Sequence, residues 1–599
     1  MSSKPGQPQG EAPSPAAGSE GAAADERYRS WLHSPLLSTE EREALHRLGQ
    51  DRAELEDRFY QELQFGTGGL RGLMGLGSNR VNLYTVRAAT QGLAVYLLEQ
   101  GEDVRERGVA IAFDSRAHSR QFAEAAALVL AANGFRAHLF PEIRPTPQLS
   151  FAVRRLRAAA GIVITASHNP PSYNGYKVYG ADGGQVLPAE AAAIQARIAA
   201  VDLWRVPVMR REEAIRLERL RLLGEEMDRA YLEMLQSVLL RNLDQDLSRA
   251  KRELRVVYTP LHGAGLLPVR ESFRMAGFVQ LDVVPEQEMP DPRFPTVSTP
   301  NPEEGQAFEL ALALARERGA DIALATDPDS DRLGVAARRE DGSFARLTGN
   351  QLGALLLNYI LDSLREQGRL PVDGVMLKTV VTGDLGRQIA AACGVRTVET
   401  LTGFKYIARW LERLEKEGEG RFLFGYEESY GYLADARVRD KDGVMAALLV
   451  AEMAAHGKRR GQTLWQMLDE LERRFGCYAE EQTSLVFPGK SGQEQMTALM
   501  RSWREEAPQQ VGPFAVVEVH DYLAGEVRRQ GRAVARVDLP QEDGLKFLLA
   551  DGAWFCLRPS GTEPKLKIYT AAVGADRAGA QRKCAQLRDE LTARLTAGV

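Results

Sequence analysis

This chain of 599 residues has few cysteines, a small net charge and only short apolar runs. None of its four cysteines forms a CxxC pair, so a disulfide framework and a zinc cluster are both poorly supported. The apolar runs fall well short of the roughly 18 residues that a membrane span needs, so no membrane partner is expected. Lys and Arg number 76 against 81 Asp and Glu, a net charge of −5, which offers no general basic surface for nucleic acid. An anionic ligand must therefore bind at a local site.

Signals for export and for nucleotide binding are also missing. Residues 1–26 are rich in Ala, Gly, Pro and Ser and lack an apolar core, which predicts a disordered tail rather than a secretion signal, and a cytoplasmic location. The GKS at 489–491 lacks the leading glycine of a phosphate-binding loop, because Ser484 stands there, and FGTGGLRG at 65–72 does not match a dinucleotide motif. A nucleotide cofactor is not indicated.

From about residue 40, short apolar or β-branched runs alternate with Ala- and Leu-rich stretches of helical period. This alternation is typical of βαβ units around parallel sheets. Three breaks divide the chain: a charged, helix-rich connection at 210–243, a DGS turn at 341–343 and a third break at about 456–463. Beyond about residue 475 the pattern changes to predicted strands followed by a charged final helix. The sequence therefore predicts four α/β domains, of which the last is a smaller α+β domain. The predicted bounds are 40–215, 225–340, 345–462 and 475–599.

The segment GIVITASHNPPSYNGYKVYG, residues 161–180, places an apolar strand directly before Ser167. Ligands of open α/β sheets bind at the carboxyl ends of strands, so a hydroxyl group at this point suits nucleophilic chemistry. The GxSxG elbow of hydrolases does not match, because Thr165 and Asn169 stand where it needs glycine. The alternative is a polar turn whose side chains satisfy backbone groups.

Three aspartates at alternate positions follow another predicted strand, in the sequence DPDSDR at 327–332. Asp327, Asp329 and Asp331 can converge as hard oxygen ligands, the set that suits Mg²⁺. An EF-hand does not fit, because the sixth loop position is Arg332 rather than Gly and a strand replaces the entering helix. The alternative is a solvated acidic turn.

Two later motifs favour a polar, anionic ligand. GYEESYG at 425–431 presents carboxylates and a hydroxyl group between glycines, a combination that can hold sugar hydroxyls. RPSGTEPK at 558–565 follows an apolar strand and offers an Arg, two hydroxyl groups and a Gly-Thr turn, which favours an oxyanion cradle. Each motif alone also fits an ordinary surface turn. The same ambiguity applies to LTGFK at 401–405, His262, Asp114 and Arg116.

Taken in order, FGTGGLRG, TASHNP, DPDSDR, GYEESYG and RPSGTEPK resemble the motif set of the α-D-phosphohexomutase superfamily, and in particular its phosphoglucomutase-type members. The resemblance runs from about residue 40 to the C-terminus, with one or two motifs in each predicted domain. It implies three similar α/β domains with mixed sheets and a smaller C-terminal domain around a central cleft. Tyr430, directly after the serine of GYEESYG, and GTGG in place of GTSG are similar to the branch of long bacterial phosphoglucomutases and phosphopentomutase-like enzymes.

The resemblance also implies roles for single residues. Ser167 matches the phosphorylated serine, and its phosphate would complete an Mg²⁺ site formed by Asp327, Asp329 and Asp331. Lys177 matches a general acid or base. The other residues expected at the phosphotransfer site are Arg71, His168, Arg332 and Lys405. The residues expected to bind the sugar and its nonreacting phosphate are Glu427, Ser429, Arg558, Ser560, Gly561 and Thr562.

The function implied by the resemblance is an isomerase that interconverts glucose 1-phosphate and glucose 6-phosphate. A phosphoserine would pass its phosphoryl group to the sugar phosphate, and the resulting glucose 1,6-bisphosphate would return its other phosphate to Ser167. Mg²⁺ and this bisphosphate are the implied cofactors, and a small sugar phosphate is the only implied partner. Pentose and mannose phosphates stay open as substrates. A noncatalytic sugar-phosphate sensor and an Mg²⁺-dependent phosphatase are the competing classes, and the oligomeric state is not predicted.

Overall fold

The computed structural model describes residues 16–597 apart from 67–68, 242–243, 488 and 561–564. Within that part of the chain, four sheets follow one another: mixed sheets of six, five and four strands, then an antiparallel sheet of eight. The predicted class is confirmed, with three α/β domains and a smaller β-rich C-terminal domain. None of the described helices is both long and apolar enough to cross a membrane.

The first sheet has the strand order β1-β5-β4-β2-β3-β6, in which β5 runs antiparallel to its neighbours β1 and β4 and the other strands share one direction. Its strands are β1 (Gly69–Leu73), β2 (Val109–Phe113), β3 (Ala137–Leu139), β4 (Ala160–Ile164), β5 (Tyr173–Tyr179) and β6 (Leu220–Leu222). The helices of this part are α1 (Ala16–Leu32), α2 (Thr39–Leu48), α3 (Arg52–Phe59), α4 (Leu83–Leu98), α5 (Val104–Arg107), α6 (Ser119–Ala132), α7 (Thr146–Leu156), α8 (Pro188–Ile198) and α9 (Arg211–Arg216).

The second sheet has the order β11-β10-β9-β7-β8, with β7, β8 and β9 parallel and β10 returning antiparallel to β9. Its strands are β7 (Arg255–Thr259), β8 (Gln280–Val283), β9 (Ile322–Thr326), β10 (Leu333–Arg338) and β11 (Phe344–Arg346). The helices are α10 (Glu225–Ser237), α11 (Gln245–Glu253), α12 (Leu266–Met275), α13 (Pro285–Glu288) and α14 (Glu309–Arg318), with a 3-10 turn at Gln306–Phe308.

The third sheet repeats this pattern, because β13, β12 and β14 are parallel and β15 returns antiparallel to β14. Its strands are β12 (Gly374–Thr379), β13 (Arg396–Thr400), β14 (Arg421–Glu427) and β15 (Gly431–Leu433). The helices are α15 (Gly349–Glu366), α16 (Leu385–Ala392), α17 (Phe404–Glu417), α18 (Gly443–Arg459) and α19 (Leu464–Phe475). Helix α19 falls between two predicted domain bounds and packs against α15.

The fourth sheet is antiparallel and follows the order β16-β23-β22-β21-β18-β19-β20, with β17 paired to β18. Its strands are β16 (Cys477–Val486), β17 (Gln510–Val511), β18 (Phe514–Asp521), β19 (Glu526–Arg529), β20 (Arg532–Arg536), β21 (Leu545–Leu549), β22 (Trp554–Pro559) and β23 (Lys565–Gly574). Helices α20 (Gly489–Glu505) and α21 (Arg577–Ala597) complete this part.

Helix α18 joins the second and third domains. The run GVMAALLVAEMAAHG, residues 443–457, is buried on every side, as expected for a helix whose apolar residues cover its whole circumference. Asp442 caps its first turn by accepting a hydrogen bond from the Met445 amide at 2.8 Å. The helix packs on α11 and α12 as well as on β9 and β15. One apolar core therefore fixes the sheets of these two domains against each other.

A common turn follows one parallel strand in each α/β domain, namely β4, β9 and β14. In all three sheets this strand leads through a short loop into an antiparallel return strand. Each loop contains one non-glycine residue in the left-handed region: Ser167 at φ +52°, Ser330 at φ +55° and Tyr430 at φ +65°. The loops hold TASHNP, DPDSDR and GYEESYG. The repeated geometry places three of the sequence motifs at equivalent edges of three sheets.

The expected disordered tail is wrong for residues 16–26, which belong to α1. Apolar side chains bind this helix to the first domain, because Ala24 is fully buried and Trp31 is 2 % exposed. The Trp31 ring makes edge contacts with Trp204 at 5.2 Å and Tyr84 at 5.4 Å between centroids. Residues 1–15 lie outside the described residues.

Candidate active site

Ser167 lies in the turn after β4 and faces the second domain. Its side chain is 3 % exposed, and its Oγ donates to Asp327 Oδ2 at 2.8 Å. The same Oγ is 3.1 Å from His168 Nδ1. The Ser167 amide donates to Thr165 Oγ1 at 2.8 Å, which holds the residue in its left-handed conformation. The hydroxyl group is thus fixed between an imidazole and a carboxylate of another domain.

Arg116 supports this loop from behind. Its Nη1 donates to the carbonyl oxygens of Pro170 at 2.8 Å and Tyr173 at 3.0 Å, and its Nη2 donates to those of Ser167 at 2.7 Å and Asn169 at 2.5 Å. The guanidinium is itself held by Asp114, whose Oδ2 lies 3.2 Å from Arg116 Nε, and both side chains are fully buried. The sequence assigned no clear role to this pair, because its partners are backbone atoms that lie more than 50 residues away.

The three aspartates converge as predicted. One carboxylate oxygen from each of Asp327, Asp329 and Asp331 lies within 4.8 Å of the others, and all three residues are buried. Burial, together with repulsion from the other two carboxylates, raises the pKa of Asp327 well above its ordinary value. Within the described part of the chain, Oδ1 of Asp329 and Oδ1 of Asp331 have no hydrogen-bond donor. Buried, unpartnered carboxylate oxygens are the donor set that a hard divalent cation requires.

Two lysines compensate the aspartate charge. Lys177 Nζ donates to Asp329 Oδ2 at 2.8 Å and lies 3.5 Å from Asp331 Oδ2. Lys441 Nζ, from the third domain, lies 3.2 Å from the same Asp331 oxygen. Burial lowers the pKa of Lys177, but Asp329 and Asp331 outweigh burial, and the net shift is upward. The pKa of Lys441 is raised in the same way by Asp331, Asp440 and Glu427. Sequence reasoning missed Lys441, because a lysine in RDKDG is indistinguishable from a solvated one.

Arg71, His168 and Arg332 gather around Ser167. Arg71 is solvent-exposed on β1 and donates from Nη1 to Asn169 Oδ1 at 3.2 Å. Burial and the nearby arginines lower the pKa of His168 well below its ordinary value, so its imidazole is neutral. The Arg332 amide donates to Asp327 Oδ1 at 3.1 Å. The Arg332 guanidinium pairs with Glu303, another residue that the sequence analysis did not single out.

The loop after β14 supplies carboxylates from the third domain. Glu427 is 5 % exposed and accepts a hydrogen bond from the Gly403 amide at 2.9 Å. Burial raises its pKa to about 7, with Glu428 adding to the shift and Lys441 opposing it. Ser429 follows in the same loop and is half-buried. Lys405 is the second residue of α17 and lies two positions after the glycine that Glu427 binds.

The fourth domain contributes Arg558 at the end of β22. Its Nε and Nη2 donate to Glu542 Oε1 at 3.0 and 2.8 Å. Ser560 is the last described residue before the loop, and its amide donates to the Lys565 carbonyl at 2.7 Å, which closes the base of that loop. Gly561 and Thr562, which were expected to bind phosphate, lie outside the described residues.

The sequence-predicted residues thus fall into connected groups. Direct contacts join the serine loop to the aspartates, and Lys441 joins the aspartates to the third domain. The third and fourth domains meet through Tyr406, whose hydroxyl donates to Glu542 Oε2 at 3.1 Å. A series of direct contacts therefore connects cations and carboxylates of all four domains, an arrangement suited to an anionic, hydroxyl-rich ligand.

Family comparisons agree with this arrangement. Four models of phosphoglucomutase/phosphomannomutase match in chain order: alpha/beta/alpha domain I at 62–204, domain II at 229–342, domain III at 348–475 and the C-terminal domain at 514–589. A phosphoglucomutase from Staphylococcus haemolyticus is 37% identical over 516 residues, which covers 86% of this chain and 91% of that protein. A phosphoglucomutase from Staphylococcus aureus strain USA300 is 34% identical over 533 residues, which covers 87% of this chain and 92% of that protein.

Solved structures share the fold. A phosphoglucomutase/phosphomannomutase family protein from Burkholderia thailandensis superposes with a TM-score of 0.63 at 19% identity, covering 90% of this chain and 98% of that one. The open form of parafusin, a phosphoglucomutase from Paramecium, gives a TM-score of 0.64 at 18% identity, and the superposition covers 89% of this chain and 96% of that one.

Proposed function

This chain belongs to the phosphoglucomutase/phosphomannomutase family, and we propose that it interconverts glucose 1-phosphate and glucose 6-phosphate. The observation that carries the proposal is the contact between Ser167 Oγ and Asp327 Oδ2 at 2.8 Å. It brings a buried hydroxyl group of one domain to the cation-suited carboxylates of another. A phosphoryl group on this oxygen would lie where arginines and lysines can neutralise its charge.

The reaction consists of two transfers. In the first, the P–O bond of phosphoserine 167 breaks and a new P–O bond forms to the free hydroxyl group of the sugar phosphate, whose proton leaves. The product is glucose 1,6-bisphosphate. After the bisphosphate reorients, its other phosphoryl group passes to Ser167 Oγ, and the sugar oxygen takes up a proton. The serine is phosphorylated again, and the sugar phosphate has been isomerised.

Asp327, Asp329 and Asp331 would hold a divalent cation, and their oxygen ligands fit Mg²⁺. Such an ion, when bound, supplies positive charge that polarises the phosphoryl group during transfer. The protein adds positive charge of its own from Arg71 and Arg332, both of which act on His168 beside the serine.

Lys177 is suited to donating a proton. Its raised pKa keeps it an ammonium ion beside Asp329 and Asp331, so in this arrangement it can protonate a leaving sugar oxygen. Its role as a base would require loss of that proton, which the two carboxylates oppose. Glu427 and Ser429 are suited to sugar hydroxyls, and Arg558 and Ser560 to the phosphate that does not react.

A coupled assay tests the substrate. The enzyme is supplied with Mg²⁺, a trace of glucose 1,6-bisphosphate and glucose 1-phosphate, with ribose 1-phosphate and mannose 1-phosphate in parallel. Fast conversion to glucose 6-phosphate, stimulated by the bisphosphate, is the expected result. Preference for the pentose or mannose ester would reassign the substrate to a phosphopentomutase or a phosphomannomutase. Stoichiometric release of inorganic phosphate would indicate a phosphatase, and no reaction with any ester would favour the sensor.

Ser167→Ala tests the phosphoenzyme. We expect turnover to be abolished, because no other group can accept the phosphoryl group, while the unfolding temperature stays close to that of the wild type. Ser172→Ala is the matched control, since that serine is exposed in the same loop and contributes its carbonyl oxygen rather than its side chain to the fold. Normal turnover by Ser167→Ala would contradict the mechanism.

A further inference from the structure

Glu542 connects two groups of proposed substrate-binding residues. It lies in the segment between β20 and β21, and its side chain is 28 % exposed. Its Oε1 accepts both the Nε and the Nη2 hydrogen bonds of Arg558, while its Oε2 accepts the hydroxyl hydrogen bond of Tyr406 at 3.1 Å. Arg558 belongs to the fourth domain and Tyr406 to α17 of the third. A single carboxylate therefore bridges the two domains at the cleft.

Apolar packing holds the segment that contains Glu542. Val537 and Leu539 pack against a cluster shared by the third and fourth domains, which includes Val380, Tyr406 and Trp554. Polar contacts cross the same boundary. Lys546 Nζ donates to the Val380 carbonyl at 2.6 Å, and Trp554 Nε1 donates to Asp384 Oδ2 at 3.0 Å. The backbone around Glu542 is thus fixed from both sides, so its carboxylate has a defined position rather than that of a mobile surface group.

We propose that Glu542 is a positioning residue, which orients Arg558 toward the nonreacting phosphate of the substrate and aligns it with Lys405 across the domain boundary. The inference rests on the proposed function. Glu542 uses the Nε and Nη2 edge of the guanidinium, so a phosphate has the Nη1 and Nη2 edge for its own bidentate contact. Tyr406 adjoins Lys405 in sequence, and the Lys405 ammonium lies 5.2 Å from the centre of the Tyr406 ring.

Charge links Glu542 to Lys405 as well. Burial lowers the pKa of Lys405 to about 8, a net value to which Arg558 contributes in the same direction while Glu542 and Glu427 oppose the change. Among the described residues, Glu542, Arg558 and Glu427 are the charged groups that shift this pKa. Loss of the Glu542 charge would therefore release the Lys405 proton at lower pH. If Glu542 also positions Lys405, substrate binding should weaken at a lower pH once the Glu542 charge is removed.

The experiment compares Glu542→Gln, Tyr406→Phe and their combination with the wild-type enzyme. We expect Glu542→Gln to raise KM about tenfold with kcat changed less than about twofold, because a charge-assisted contact that orients bound phosphate is lost. Tyr406→Phe should raise KM about threefold. The double variant should resemble Glu542→Gln alone, because both changes remove one network. The alkaline limit of substrate binding, near pH 8 in the wild type, should move to lower pH in Glu542→Gln.

Direct binding separates this inference from the proposed function. Calorimetric titration with glucose 6-phosphate, ribose 5-phosphate and mannose 6-phosphate should show a Kd for the preferred ester that is about tenfold weaker in Glu542→Gln, even if the wild type fails to turn over that ester. Asp543→Asn is the matched control, because this neighbouring carboxylate pairs with Arg504 instead. An unchanged or tighter Kd in Glu542→Gln, or an equal loss in Asp543→Asn, overturns the inference. Wild-type enzyme that binds none of the esters overturns both proposals.

Discussion

Arg116→Met should destabilise the serine loop strongly. The guanidinium makes four hydrogen bonds to loop carbonyl oxygens and one ion pair with Asp114, and the side chains of both Arg116 and Asp114 are fully buried. Methionine fills much of the same volume but donates no hydrogen bond. The substitution therefore leaves a buried carboxylate and several carbonyl groups without partners, while the apolar packing of the arginine stem is retained.

The size of the effect follows from the broken ion pair. Removing one partner of a buried pair costs about 3–5 kcal/mol, since the remaining charge is desolvated and uncompensated. The summed free energies of four separate charged hydrogen bonds would exceed this range, but the loop can relax and admit water, which reduces the loss. Burial already raises the pKa of Asp114, so this carboxyl group can take up a proton when Arg116 is gone, which favours the lower part of the range. For a domain of 150–250 residues, the loss corresponds to an unfolding temperature lower by about 6–20 °C.

Differential scanning calorimetry measures the unfolding temperature, and the coupled mutase assay at 20 °C measures turnover of the fraction that is still folded. We expect both to fall, since Ser167 loses the contact that fixes its carbonyl oxygen. Arg120→Met is the matched control. This arginine lies on α6 with 59% of its side chain exposed and pairs with Glu142 at the surface, where an ion pair contributes little. A shift of less than about 2 °C in Arg116→Met, together with normal turnover, would refute the reasoning.

Three further outcomes follow from the site. Asp329→Asn should reduce turnover at least about 100-fold, and so should chelation of divalent metal from the wild type. Added Mg²⁺ should restore turnover only in the chelated wild type. Unchanged rates would exclude the assignment of the aspartates as metal ligands. Lys441→Met should reduce kcat, because Asp331 loses one of its two ammonium partners. An unaltered kcat in steady-state assays would show that Lys177 alone is enough to compensate the charge of Asp331. Burial raises the pKa of Asp442 to about 7, so the stability it contributes is complete below about pH 4 and is lost as pH rises toward 7. Asp442→Asn should make the urea unfolding midpoint less dependent on pH between about pH 4 and 7. A pH dependence parallel to that of the wild type would contradict this.

The parts of the site that could be predicted are those that the local sequence determines. An apolar strand followed by a polar loop marks the carboxyl edge of a parallel sheet, and three motifs lie at such edges. The convergence of the aspartates was predicted from their alternate spacing, and the structure achieves it in the turn after β9, where Ser330 at φ +55° lies between two of them. Their contact with Ser167 was expected only through the family resemblance, since 160 residues separate the two groups.

The residues that were missed, or that were named without a role, act over long distances or through the backbone. Arg116 binds carbonyl oxygens, which every residue has, so its sequence context contains no sign of its partners. Glu542 and Lys441 gain their roles from domains that pack against their own. The prediction of a disordered N-terminal tail failed over residues 16–26 for a similar reason. Its composition is poor in large apolar residues, but Ala24 is fully buried, and Trp31, later in the same helix, contacts Tyr84 and Trp204.

The left-handed conformation of Ser167 links the fold to the proposed chemistry. A non-glycine residue at φ +52° costs of order 1 kcal/mol, and composition gives no reason to expect it at a serine. The surrounding contacts stabilise it, because the amide is bound by Thr165 and the carbonyl oxygen by Arg116. The turn reverses the chain within a few residues and presents the hydroxyl group to Asp327 instead of to solvent. Since the equivalent turn in the second domain contains Ser330 at φ +55°, between two of the aspartates, the same backbone geometry supplies both the hydroxyl group and the carboxylates that face it.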